Sequence, residues 1–182
     1  MEVMEAIKRR ESYRSFKEEP ISDEELKKLL YAAERAPRIG SVEIIVLQDK
    51  EKIAALSDAT KEAMIASGGW NRMRASTPDY NPLYKAPTVI MFVGYSSEPF
   101  ISETVGLAAG MMVMAATDMG LGSITVSSIR RGFNGPRGSE LKKSMEMGQN
   151  KDLILAVCVG YKDKSHYLEF KGASHNIVKY VR

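Results

Sequence analysis

Cysteine is nearly missing from this chain. Cys158 stands alone, so no internal disulfide can form. It lies in the apolar run 153–159 and reads as a buried structural thiol rather than a nucleophile. Two histidines beside one cysteine give no metal-ligand spacing. No apolar run approaches a membrane span. Met1-Glu2 opens directly into an amphipathic segment, not a signal peptide, so a cytoplasmic protein is expected. The net charge of +3 is too small to argue for nucleic acid. There is no Gly-Lys-Ser phosphate loop, paired-carboxylate motif or Ser-His-acid set in matching context. No repeat or linker divides the 182 residues, which suffice for one domain, 1–182, with a sizeable core.

What the chain does have is a dense basic stretch near its start, Arg9-Arg10-Glu11-Ser12-Tyr13-Arg14-Ser15-Phe16. The planar fork of arginine suits phosphate, and serine adds a short donor. Val3, Met4, Ala6 and Ile7 repeat at helical spacing just before it, so the cluster falls at the end of a first helix. Cations are favoured at a helix C-terminus without any ligand, so the cluster alone leaves both uses open.

Ser22 and Glu25 form a capping-box start, and Leu26, Leu29, Leu30 and Ala33 predict a second helix to about Arg35, ended by Pro37. Residues 42–47 read as a strand, 49–66 as a third helix stopped by Gly68-Gly69, and 70–85 as a loop without period. Trp70 in that loop could line a pocket; a lone tryptophan more commonly anchors a loop to the core. Residues 86–94 form an apolar run expected to be a central strand. The helix predicted over 102–119 is apolar nearly all round, so its sides must be covered by its own domain or by a partner subunit. Gly120-Leu121-Gly122-Ser123 then leads into a strand expected over 124–129, with Ser127 and Ser128 at its end. Those hydroxyls could meet a ligand or simply satisfy turn backbone groups. Residues 130–138 read as a basic loop that could attract an anionic nicotinamide cofactor or stay solvated, 139–145 as a short helix, and 153–159 with Gly160-Tyr161 as a further strand. The tail, 162–182, ends in an apolar run over 177–181 that suggests a short strand.

Arg10-x-Ser12-x-Arg14-x-Phe16, the polar turn before Pro20-Ile21-Ser22, the Ala86-Pro87 strand entry, the buried helix ending in Gly120-Leu121-Gly122-Ser123, and Val159-Gly160-Tyr161 occur in an order that resembles the nitroreductase family of FMN-dependent oxidoreductases. The resemblance covers about residues 5–161. One departure is large: where the family carries Pro-Ser-x-x-Asn-x-Gln-Pro-Trp, only Ala36-Pro37 remains, in a short loop that includes Arg38, Ile39, Gly40 and Ser41.

The resemblance implies an α+β fold with a mixed, mostly antiparallel central sheet flanked by helices. It implies a homodimer packed on the apolar helix, with the C-terminal tail crossing to the partner and FMN at the interface. It assigns Arg10, Ser12 and Arg14 to the flavin phosphate and ring edge, and the backbone at Ser127 and Ser128 to the flavin N5 and O4 edge. Lys171 falls near the family's C-terminal phosphate ligand, with His175 as a rival. NADH or NADPH would be the reductant and a nitroaromatic, quinone or similar small molecule the acceptor. No catalytic side chain is implied, because the cofactor carries the hydride chemistry. The alternative is a flavin-binding or sensing dimer that has lost catalysis.

Overall fold

The computed structural model describes residues 2–37, 40–164 and 178–181. Its centre is a four-stranded sheet in the order β1-β2-β4-β3, built from β1 (Glu43–Leu47), β2 (Thr88–Gly94), β3 (Gly122–Val126) and β4 (Asp152–Gly160). The three neighbouring strand pairs are all antiparallel. Every residue of β2 is buried, as its unbroken apolar run requires of a central strand. Burying each large apolar side chain there contributes about 1.5–3 kcal/mol, which makes this strand a main source of cohesion.

Helices cover both faces. On one side α2 (Asp23–Glu34) and α5 (Ile101–Asp118) pack against each other and share a core with Ile90, Phe92 and Val157. On the other side α3 (Lys50–Ala66), α6 (Arg130–Asn134) and α7 (Gly138–Ser144) close over Val89, Met91 and Cys158. The alternation of β2 therefore divides its side chains between two cores. The first helix, α1 (Val3–Arg9), rests on α5.

Local chemistry sets the boundaries. Ser22 caps α2 with a complete capping box: its N–H donates to Glu25 Oε2 at 2.9 Å, and Glu25 N–H donates to Ser22 Oγ at 3.3 Å. Asp49 caps α3 by accepting from the N–H groups of Glu51 and Lys52.

Four expectations need correction. Residues 70–85 are not wholly a loop, since Gly69–Ala75 forms a short helix, α4, against α3. Its seven residues are too few to display a period. Residues 130–138 likewise contain α6 instead of a continuous loop. Strand β3 starts and ends earlier than 124–129: Gly122 pairs with Gly160, and after Val126 the Ser127 carbonyl accepts from Arg130 N–H at 3.2 Å, which turns the chain away. Residues 178–181 carry no strand, and Ile177 lies outside the described residues.

Candidate functional site

The basic stretch follows α1 directly. Arg10 is the C-cap of α1, its N–H donating to the Ala6 carbonyl, and its side chain is exposed. Beyond it the chain is fastened to the sheet. Tyr13 N–H donates to the Ser123 carbonyl at 2.9 Å, Lys17 N–H to the Tyr161 carbonyl at 3.0 Å, and Phe16 bridges to Lys162. Two rings complete the attachment. A Cβ at Gly122 would stand 2.7 Å from Tyr13 Cδ1, and one at Gly160 would stand 3.1 Å from Phe16 Cδ1. At 122 a side chain would displace the Tyr13 ring, and at 160 it would press on Phe16 and Pro87.

This attachment fixes where the predicted anchoring residues go. Arg9 is committed to Glu5 at 2.6 Å, whereas Arg10 makes no ion pair among the described residues. Ser12 is half-buried, and its carbonyl accepts from Arg14 Nη1 at 2.9 Å. Arg14 reaches across to Tyr84, with its guanidinium carbon 5.9 Å from the ring centroid. It lines a groove of about 230 Å³ with Asp79, Tyr80, Asn81, Tyr84 and Lys85. The groove wall is a tight turn: the Asn81 side-chain oxygen accepts from Leu83 N–H at 2.9 Å and Lys85 N–H at 3.2 Å. Tyr84 and Lys85 both have positive φ, 56° and 55°. Sequence reasoning missed these groove residues; the Asn81-Pro82 dipeptide was the available signal, since it marks a turn.

Tyr13, behind the cluster, holds its proton firmly. Burial raises its pKa, and the nearby carboxylates of Glu11 and Asp163 raise it further. Its hydroxyl donates to the Asp163 carbonyl at 3.1 Å, and Lys162 Nζ lies 5.0 Å from its ring centroid.

Ser127 and Ser128 sit just beyond β3, four residues past the Ser123 contact in the case of Ser127. At about 3.3 Å per residue, that puts them on the order of 13 Å from the contact that holds Tyr13. The turn there is closed by main-chain bonds, Arg130 N–H to the Ser127 carbonyl and Arg131 N–H to the Ser128 carbonyl. Among the described residues neither hydroxyl serves that turn. Arg130 and Arg131 are exposed at the start of α6. Lys171 and His175 lie outside the described residues.

Two further readings are decided by burial. Cys158 is fully buried in β4, and desolvation pushes its pKa up to about 12, so it is inert as a nucleophile. Trp70, expected to anchor a loop, is 69% exposed on α4. Its neighbour Arg74 donates from Nη2 to the Tyr84 hydroxyl at 2.9 Å, while α4 itself packs on α3 through the buried Ala75.

Comparison with known proteins finds similarity at the level of both sequence and fold. The family profile described as "Nitroreductase family" matches residues 7–161. A curated relative, FMN reductase [NAD(P)H] of Bacillus subtilis (strain 168), is 26% identical over 141 residues, which is 71% of this chain and 55% of that protein. The chain thus spans about half the length of that relative. Among solved structures, a nitroreductase with bound FMN from Bacteroides fragilis NCTC 9343 superposes with a TM-score of 0.88 over 100% of both chains at 24% identity. A nitroreductase with bound FMN from Desulfitobacterium hafniense DCB-2 gives 0.78 at 22% identity, over 94% of this chain and 100% of that one.

Proposed function

The chain belongs to the nitroreductase family, and from that premise we propose that it is an FMN-dependent oxidoreductase, using NADH or NADPH to reduce an electron-poor small molecule such as a nitroaromatic or a quinone. The observation that carries the reading is the pinned anchoring segment. It presents an exposed Arg10 without an ion pair among the described residues, a half-buried Ser12, and Arg14 on a tyrosine-lined groove with Lys85.

That donor set fits a phosphoester dianion and, at Arg14 beside Tyr84, the near edge of the flavin ring. Arginine and lysine supply charge-assisted hydrogen bonds, and the serine hydroxyl completes them. Ser127 and Ser128, just past the end of β3, suit the far edge of the same ring. When bound, FMN would supply the two-electron store between the nicotinamide donor and the acceptor. The chain's own residues bind and orient. Tyr13 and Phe16 keep the anchoring segment from drifting, since both rings are wedged against the sheet. No side chain is assigned a proton-transfer role.

The same reading makes the protein a single-domain cytoplasmic homodimer. Support for the dimer comes from α5 and α1, where Leu107 is 51% exposed and Val3, Met4 and Ile7 are also open. Such a strip suits a second copy better than water. No helix among the described residues is long and apolar enough to cross a membrane. One observation favours a second reading, a flavin-binding dimer without turnover: the segment after α2 lacks the family's asparagine and glutamine.

The test is the visible absorption of the purified protein, followed by heat release and identification of the chromophore. About one FMN per chain is expected. Arg10→Ala with Arg14→Ala should weaken FMN binding by at least about a hundredfold, since each lost charged contact is worth about 1.5–3 kcal/mol. Circular dichroism should stay unchanged. Unaltered flavin content in the double variant would return the cluster to a helix-end feature. Flavin-loaded protein that does not oxidise NAD(P)H would select the second reading.

A further inference from the structure

Helix α4 is an anomaly that the reading above does not absorb. Seven residues long, it enters through two consecutive glycines with positive φ, Gly68 at 71° and Gly69 at 55°. Positions Trp70, Met73 and Arg74 are spaced i, i+3 and i+4, so they share one face of the helix. Trp70 is 69% and Met73 60% exposed, although both are costly to leave in water.

The third member of that face is anchored in an unusual way. Arg74 donates to the Tyr84 hydroxyl, and its guanidinium carbon stands 5.2 Å from the Tyr80 ring centroid. Neither partner is a carboxylate. Among the described residues no carboxylate pairs with Arg74. The adjoining groove adds the cations of Arg14 and Lys85 against the single acid Asp79. The local balance is therefore positive, beside an open aromatic and thioether surface. Tyr84 also links the two regions, since Arg14 lies over its ring and Arg74 bonds its hydroxyl.

We propose that the α4 face is the acceptor subsite and that it selects an aromatic carboxylate, with the ring against Trp70 and Met73 and the carboxylate on Arg74. The proposal rests on the reductase reading for its placement beside the flavin. Side chains at i and i+4 have Cβ atoms about 5–6 Å apart, so a one-ring acceptor can touch tryptophan and guanidinium together. Planar guanidinium matches carboxylate in a two-pronged geometry that ammonium lacks. The aromatic face contributes by stacking, which is indifferent to the acceptor's charge. Charge selection and ring affinity are thus separable by residue.

The experiment compares 4-nitrobenzoate with its neutral methyl ester in the FMN-loaded protein. Intrinsic reactivity cancels when each variant is measured on the same pair. Arg74→Gln should raise KM for 4-nitrobenzoate about five- to tenfold and leave the ester within twofold. Arg74→Lys should recover part of the loss, because the charge returns without the fork. Trp70→Ala should weaken both acceptors, with FMN content per chain unchanged. Trp70 is the only tryptophan in the chain, so its fluorescence reports from the subsite itself. Without nicotinamide, 4-nitrobenzoate should quench it saturably, and Arg74→Gln should shift the midpoint by the same factor as KM.

Equal responses of acid and ester to Arg74→Gln, or quenching that never saturates, would overturn the proposal while leaving ester reduction to vouch for the reductase. A flavin-free protein would instead sink the reductase reading, and the quenching titration would still decide whether the α4 face binds an aromatic carboxylate.

Discussion

On one face of the sheet α3 buries Leu56 and Met64 and turns Glu51, Asp58 and Glu62 to solvent. On the other face α5 buries Met112 and Ala116, yet leaves Leu107 and Met111 outside, next to the open Val3, Met4 and Ile7 of α1. Both helices span the sheet and are of similar length. They differ in what their outer sides are prepared to meet. The outer side of α3 itself is polar and complete with one chain. The α5 face carries more apolar surface than one chain can cover, and that excess is a statement about assembly.

The largest expected effect comes from charging the open face. Leu107→Arg places a cation in the proposed contact between copies, where it would be desolvated without a partner. Light scattering should show dimer becoming monomer, with loss of FMN if its proposed site lies between the copies. A wild-type protein already monomeric at micromolar concentration would break the comparison outright.

Leu56→Ala is the matching change on the sealed face. Leu56 is fully buried, so deletion should cost about 3 kcal/mol in urea unfolding. The dimer should persist, because nothing on that face reaches the contact. If both variants dissociate the protein, the two faces are not independent and the contrast fails.

The smallest effect concerns pH and the anchor of α2. Glu25 is pushed up by burial but held below the usual carboxylate range overall, because hydrogen bonds from the Tyr161 and Ser22 hydroxyls and the Ser22 N–H favour its charged form. A carboxyl lowered in the folded state adds stability above its unfolded pKa and loses it as the pH falls through the folded value. Wild type should therefore lose stability more steeply than Glu25→Gln below about pH 4.5, and the gap between their melting temperatures should narrow there. Parallel curves would assign the bond network no role in acid.

Most of the architecture was legible because the long elements advertise themselves. The capping box at Ser22, the apolar run of β2 and the spacing of α3 each produced an element close to its predicted place. The short elements did not, since α4 and α6 have too few turns to show a period. Trp70 misled for another reason: the average tryptophan is mostly buried, and nothing local marks one held outward on a glycine-hung helix. The apolarity of α5 predicted cover on every side; its own chain leaves Leu107 and Met111 open, and the letters could not say which side that would be. Of the candidate site, the arginines and serine were readable as a cluster. The groove behind Arg14 was not, because Tyr84 and Lys85 belong to it only through the turn that Asn81 holds.

The wedging of Tyr13 and Phe16 against Gly122 and Gly160 has a consequence for time as well as for shape. The anchoring segment cannot peel away residue by residue. To leave, it must lift two rings from the sheet and break the Tyr13–Ser123 and Lys17–Tyr161 bonds in one opening event. Arg10 and Arg14 are therefore carried by one unit that holds its place between such events. On this protein, the steadiness of two exposed arginines is secured by two hydrogens on two glycines paired across β3 and β4.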